Sequence, residues 1–149
     1  MAAGSARRVM TTALDTNVVV AYWGPDPSLN LAVQAALESA FGQGNVTVAA
    51  PVFAELVAGP GRTENFVNGF FEDTGITIDW HLSEAIWRSA GRAFRGYAER
   101  RRKHRDLGAR RILADFLIGA HAAAHGYRLL TMDERLYRAA FPTLKIETI

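Results

Sequence analysis

The sequence predicts an α/β fold built on a central, mainly parallel sheet with helices on both faces. Three observations carry that prediction. Short apolar runs of strand character recur along the chain, at 9–14, 46–49, 76–79, 127–131 and 144–149. The stretches between them carry helical apolar spacing, and strands that alternate with helices form parallel sheets. Two of the runs deliver an acid, Asp15 and Asp133, and ligand sites gather at the C-terminal edge of such sheets.

The elements follow in order. RRVMTTALDTN opens with an inner strand that ends at Asp15, and Val18 to Trp23 is a short apolar run. Gly24-Pro25-Asp26-Pro27 breaks the chain, with Ser28 as the expected N-cap of a helix over 29–41. Gly42 to Asn45 stops it, and Val46 to Ala49 forms the second strand. Pro51 starts and Gly59 stops a helix with Glu55 in its middle. Thr63 and Glu64 open the next, which Thr74-Gly75 ends. After the strand at 76–79, Ser83 caps a long helix striped by Ile86, Trp87, Ala90, Ala93, Phe94 and Tyr97. The apolar helix over 112–124 carries Asp115 inside it and stops at Gly126. The strand at 127–131 leads to Met132-Asp133, a short helix over 134–140, and a last, edge strand.

A length of 149 residues with 49% hydrophobic composition suits one domain with a sizeable core. The chain has no cysteine, which excludes disulfides, thiolate metal sites and thiol nucleophiles and fits a reducing, cytoplasmic setting. No apolar run approaches the ~20 residues of a membrane span, and the N-terminus lacks the apolar core of a secretory signal. Net charge is +2, unevenly spread: Arg92 to Arg111 carries +7, leaving −5 elsewhere. A basic segment beside an acidic remainder predicts a polyanion partner and, separately, an acidic pocket able to hold cations.

Four carboxylates stand in unusual places. Asp115 is flanked by Leu113, Ala114, Phe116, Leu117 and Ile118, and an ionised acid in such a setting is costly unless it is paired or binds a cation. Arg110 and Arg111 sit poorly for sharing its face, and the helix pattern starts too early for a cap. Asp15 and Asp133 each follow a strand and precede a helical stretch, where an N-cap is the plain alternative. Glu55 alone could face solvent. Taken together, acidic oxygens without cysteine or a histidine set suit a hard cation such as Mg²⁺ or Mn²⁺. Such ions can activate a water and stabilise the leaving oxygen in phosphodiester hydrolysis.

The stretches Leu14-Asp15-Thr16-Asn17, Pro51-Val52-Phe53-Ala54-Glu55-Leu56, Ala114-Asp115-Phe116-Leu117-Ile118-Gly119-Ala120-His121-Ala122 and Leu129-Leu130-Thr131-Met132-Asp133 resemble, in order and spacing, the four acidic motifs of PIN domains, most closely those of VapC-like toxins of bacterial toxin–antitoxin pairs. Each motif is weak alone; the ordered set is specific. The resemblance implies a single PIN domain over 1–149, with 1–8 a flexible extension. It also implies an α/β/α sandwich and a Mg²⁺- or Mn²⁺-dependent endoribonuclease. Asp15, Glu55, Asp115 and Asp133 would form the catalytic, metal-holding cluster, supported by Thr16, Asn17 and Thr131. Met132 stands where many members carry a polar residue and receives no role. An RNA substrate (tRNA, rRNA or mRNA), a cognate antitoxin and a homodimer are further implications. Two other readings stay open: an RNA- or partner-binding domain that does not cut, and a solitary RNA-processing nuclease. A phosphohydrolase acting through an aspartyl-phosphate is weakened because Asn17, not an acid, stands two residues after Asp15.

The residues Arg100, Arg101, Arg102, Lys103, Arg105, Arg110 and Arg111 are candidates for RNA or antitoxin contact, against the plain reading of a solvated helix end. His121 and His125 are four apart on one helix, a spacing that permits metal binding. They do not share a face with Asp115, so they are not assigned to the acidic site. Asp79 is read as a helix cap, and Glu134 as a helper of Asp133 or a favourable charge at a helix start. Trp23, Trp80, Trp87, Phe66, Phe70 and Phe71 are read as core or dimer contacts.

Overall fold

The computed structural model describes residues 9–104 and 111–149. Five strands, β1 (Thr12–Leu14), β2 (Val46–Ala49), β3 (Thr77–Asp79), β4 (Arg128–Thr131) and β5 (Lys145–Thr148), form one sheet in the order β3-β2-β1-β4-β5. Every pairing is parallel, with Ala13 opposite both Thr47 and Leu129. The expectation of a mainly parallel sheet is met by one that is parallel throughout.

Seven helices flank it: α1 (Thr16–Trp23), α2 (Pro27–Gln43), α3 (Ala50–Ala58), α4 (Glu64–Thr74), α5 (Glu84–Lys103), α6 (Leu113–His125) and α7 (Glu134–Ala140). The chain steps outward from β1 to β2 to β3, then crosses back to β4 and β5 on the other side of β1. Right-handed crossovers therefore put α1–α4 on one face and α5–α7 on the other. The packing agrees: α1 meets α2 and α3, and α3 meets α4, while α5 meets α6 and α7. Strand order thus reverses between β1 and β4, the place where the strand ends of an open parallel sheet leave a crevice.

Burial follows from this order. β1 and β2 are buried along their whole length, whereas the edge strands β3 and β5 are partly exposed. Val18, Val33, Val52, Leu56, Val67, Phe116 and Leu129 are fully enclosed. Phe94 of α5 stacks on Phe116 of α6 at 4.7 Å between ring centroids.

Several sequence expectations need correction. The cap of α2 is Asp26, not Ser28: its carboxylate accepts from the Ser28 and Leu29 amides, and Pro27 occupies the first turn, where its missing N–H costs nothing. The apolar run after Asp15 is itself a helix, because Asp15 caps it. Asp79 caps no helix; Ser83 does, accepting from the Ile86 amide. The aromatic residues divide. Trp23 packs on Phe66 and Phe70, and Phe71 is buried, but Trp80, Trp87 and one side of Phe66 face solvent.

Candidate active site

Asp15 lies one residue beyond β1, and its backbone N–H donates to the Leu130 carbonyl of β4 at 3.0 Å. This single bond continues the β1–β4 ladder past the strand and pins the acid over the seam where strand order reverses. Its side chain is buried, with 4% of its surface accessible. One carboxylate oxygen accepts from the Thr16 amide at 2.8 Å, so the capping reading holds. The other accepts from the Thr131 hydroxyl at 2.8 Å, across the seam, which a cap does not require. Burial lifts the Asp15 carboxyl to about 6, with the Asp115 charge pushing the same way and the Thr131 hydrogen bond opposing.

The other three acids surround this point. Glu55 on α3 accepts from the Thr16 hydroxyl at 2.6 Å, which ties it to the same turn as Asp15. Burial raises its carboxyl above the ordinary range, and Asp115 adds to the effect. Asp115 is not enclosed by the apolar helix. It occupies the first turn of α6, is partly exposed, and accepts from the Ile112 amide at 3.4 Å. The apolar spacing placed this helix correctly, but its start falls at Leu113, so Asp115 both caps the helix and faces the other acids. Burial raises its carboxyl, the Ile112 hydrogen bond and Arg111 oppose this, and Asp133 reinforces it. α3 and α6 touch, and the Asp115 charge is felt at Glu55.

Asp133 precedes α7, but its side chain makes no capping bond. It pairs instead with the Arg111 guanidinium at 2.5 Å. Its amide donates to the Thr131 hydroxyl at 2.9 Å, so Thr131 serves Asp15 and the Asp133 turn at once. The Asn17 side-chain oxygen accepts from the Met132 amide at 3.2 Å and fixes the same loop. Asp15, Thr16, Asn17, Glu55, Thr131 and Asp133 are therefore joined by direct hydrogen bonds or chain neighbours, and Asp115 by its field.

The donors fit a hard divalent cation in kind, being carboxylate oxygens whose charges raise one another. In spacing they stand apart. Among the described residues, no three of the four carboxylates bring ligand atoms within 4.8 Å of one another. Like charges repel, and a cation with oxygen ligands at about 2.1 Å would draw them inward.

Arg100, Arg102 and Lys103 lie exposed in the last turn of α5. Arg101 reaches the Tyr97 hydroxyl at 3.4 Å. Arg111, expected among the contacts to RNA or antitoxin, pairs with Asp133. Arg105 and Arg110 lie outside the described residues. Glu134 pairs with Arg138 rather than helping Asp133. The Tyr137 residue was not anticipated. It is fully buried, its hydroxyl lies close to Asp15 without a well-formed hydrogen bond, and burial and the acids push its ionisation far above normal. An apolar helix spacing signals its burial, but not what it faces.

Comparison with curated proteins gives no match. Among solved structures, the fold is similar to a chain of VapBC2 from Rickettsia felis bound to a DNA fragment from its promoter. That likeness has a TM-score of 0.67 at 21% identity and covers 93% of this chain and 98% of that one. It is also similar to VapBC-1 from nontypeable Haemophilus influenzae, with a TM-score of 0.65 at 16% identity, covering 93% and 98%. VapBC-5 from Mycobacterium tuberculosis, a member of the VapBC family of toxin–antitoxin systems, gives 0.52 at 18% identity, covering 93% and 97%. At these identities the likeness is one of fold. The sequence model of the PIN domain matches residues 12–142, and the chain therefore belongs to the PIN domain family.

Proposed function

We propose that this chain is a Mg²⁺- or Mn²⁺-dependent endoribonuclease, the toxin of a toxin–antitoxin pair, acting as a single PIN domain in the cytoplasm and as a homodimer. The observation that carries the reading is the buried Asp15 carboxylate at the β1–β4 seam. It accepts from Thr131 and feels the Asp115 charge, and it is linked to Glu55 through Thr16 and to Asp133 through Thr131. A bound cation would offset the cost of burying this charge.

In this reading Asp15, Asp115 and Asp133 would hold the cation directly or through water, and Glu55 would hold a second ion or orient a water. A cation held there would supply the chemistry of phosphodiester hydrolysis, activating water and offsetting charge on the departing oxygen. The chain's own residues do the positioning. Thr131 and the Thr16 amide take one lone pair on each Asp15 oxygen and so fix its rotamer. Thr16 orients Glu55. Asn17 holds the loop that carries Asp133. Arg111 neutralises Asp133 while the cluster is free of cation. The exposed Arg100, Arg102 and Lys103 suit RNA phosphates or an acidic antitoxin tail. Support for a cognate antitoxin is the similarity in fold to chains of VapBC complexes.

The test is cleavage of a labelled total-RNA pool with Mg²⁺ or Mn²⁺, with Asp115→Asn alongside. Discrete products that vanish in the variant and with chelator are expected. Equal cleavage by a folded Asp115→Asn chain refutes the assignment, and no cleavage by folded, antitoxin-free protein favours a binding domain that does not cut.

A further inference from the structure

The residues Asp79, His121 and His125 form a second cluster of metal-ligating groups that the acidic site does not use. Asp79 ends the edge strand β3, two strands away from β1. The two histidines lie one turn apart on α6 and so project from one side of the helix. The His121 Nε2 stands 2.8 Å and the His125 Nε2 3.8 Å from the same Asp79 oxygen, Oδ2. Ligand atoms from all three residues lie within 4.8 Å of one another, the closest such grouping among the described residues.

We propose that Asp79, His121 and His125 bind a divalent transition-metal ion of the zinc class. The geometry fits that ion closely. With metal–ligand bonds of about 2.0–2.1 Å, the ligand atoms of a tetrahedral zinc stand roughly 3.3 Å apart. The two spacings to Asp79 straddle this value and each needs to change by about half an ångström, while the two histidines, whose ligand atoms lie within 4.8 Å, close by side-chain rotation. Two imidazoles and one carboxylate suit zinc better than Mg²⁺, which demands oxygen ligands and octahedral geometry. The ligands are also held in place. His121 is wholly buried, and its Nε2 is held against Asp79 Oδ2 by a hydrogen bond that an ion would replace. The His125 ring stacks on Tyr127 at 4.9 Å with the planes 13° apart. Asp79 is fixed through its other oxygen, which accepts from the His81 amide at 3.1 Å.

The pocket is asymmetric. His121 closes the inner side, while Asp79 and His125 are each about a third exposed, at 30% and 39%. Three protein ligands leave a fourth position, and it opens towards solvent on the side of Asp79 and His125, where a water completes the shell. The ion would clamp the end of the edge strand β3 to α6, whose first turn carries Asp115. An ion here is separate from the hard cation of the acidic cluster in ligand type, in preferred metal and in place.

The test uses the tag-free full chain, stripped with chelator and dialysed. Zinc is titrated against a chromophoric competitor, with Co²⁺ as a spectroscopic substitute. One equivalent of Zn²⁺ is expected to bind with micromolar or tighter affinity and to raise Tm by roughly 5 °C at about a hundredfold excess over Kd. Co²⁺ should give the intense visible bands of a tetrahedral site. His125→Ala, at a part-exposed position that leaves the core intact, and Asp79→Asn should each weaken binding at least tenfold, whereas Asp115→Asn should leave it unchanged. The proposal is overturned if no stoichiometric binding occurs at roughly 100 µM Zn²⁺. It is equally overturned if Asp115→Asn removes the binding while His125→Ala does not.

Discussion

Replacing Asp15 by Asn separates what this carboxylate does for function from what it costs the fold. In the folded chain burial lifts its carboxyl from 3.8 to about 6. That difference is worth roughly 3 kcal/mol, at about 1.36 kcal/mol per pH unit. The sign is fixed by linkage. Between these two values the native state holds a proton that the unfolded chain has lost, so stability falls as pH rises and levels off above the folded value. Roughly 2 kcal/mol of the loss falls between pH 4 and 7.5. Asparagine is neutral throughout and nearly the same shape, so it escapes this loss. Its amide nitrogen cannot accept as a carboxylate oxygen does, so one of the two bonds from Thr16 and Thr131 is lost, at a cost of about 1 kcal/mol that does not vary with pH. Urea unfolding in chelator should therefore find Asp15→Asn equal to or slightly less stable than the parent chain at pH 4. At pH 7.5 it should be about 1–2 kcal/mol more stable, while unable to cleave RNA. Added Mg²⁺ should stabilise the parent and not the variant. His121 and Asp79 also respond to pH, with opposite sign, but they contribute equally to both proteins and cancel in the difference. A stability difference constant within about 0.5 kcal/mol across that range would refute the reasoning, because Asp15 would then carry no desolvation penalty.

Further outcomes follow from single contacts. Thr131→Val removes the donor to the buried Asp15 and the acceptor for the Asp133 amide; it should cost about 2–3 kcal/mol at pH 7.5, less at pH 4, with Thr131→Ser largely restoring it in the same urea assay. Gly119→Ala places a methyl group against the buried Phe141 ring, 2.6 Å from Cδ2, and should lower stability by about 1–3 kcal/mol, a loss that Phe141→Leu in the same chain partly recovers. Replacing Arg100, Arg102 and Lys103 together by Ala should flatten the plot of log affinity for single-stranded RNA against log salt by about 2, at roughly 0.7 per phosphate contact, whereas an unchanged slope would assign these side chains elsewhere.

Much of this architecture is legible in the order of residues. Alternating apolar runs and helical stretches are enough to predict a parallel sheet, because strands joined through helices have few other ways to bury both faces. The starts of α4 and α5 are equally readable, since Thr63 and Ser83 satisfy amides that any helix leaves free. Local chemistry misleads where two residues compete for one task, as Asp26 and Ser28 do at α2. It misleads again at Asp115, where neighbours in sequence are apolar but the side chain leaves the helix at its open end.

The four acids Asp15, Glu55, Asp115 and Asp133 are proposed from the sequence alone, through the resemblance of their ordered motifs. Which strands adjoin is not: only the folded chain puts β4 beside β1, so that Thr131 reaches Asp15 from 116 positions away. Nor could spacing along the chain show that Arg111 pairs with Asp133, or that Asp79 meets His121 and His125. Those partnerships depend on where separate elements cross in space, and residue order constrains a crossing only through the packing of the whole.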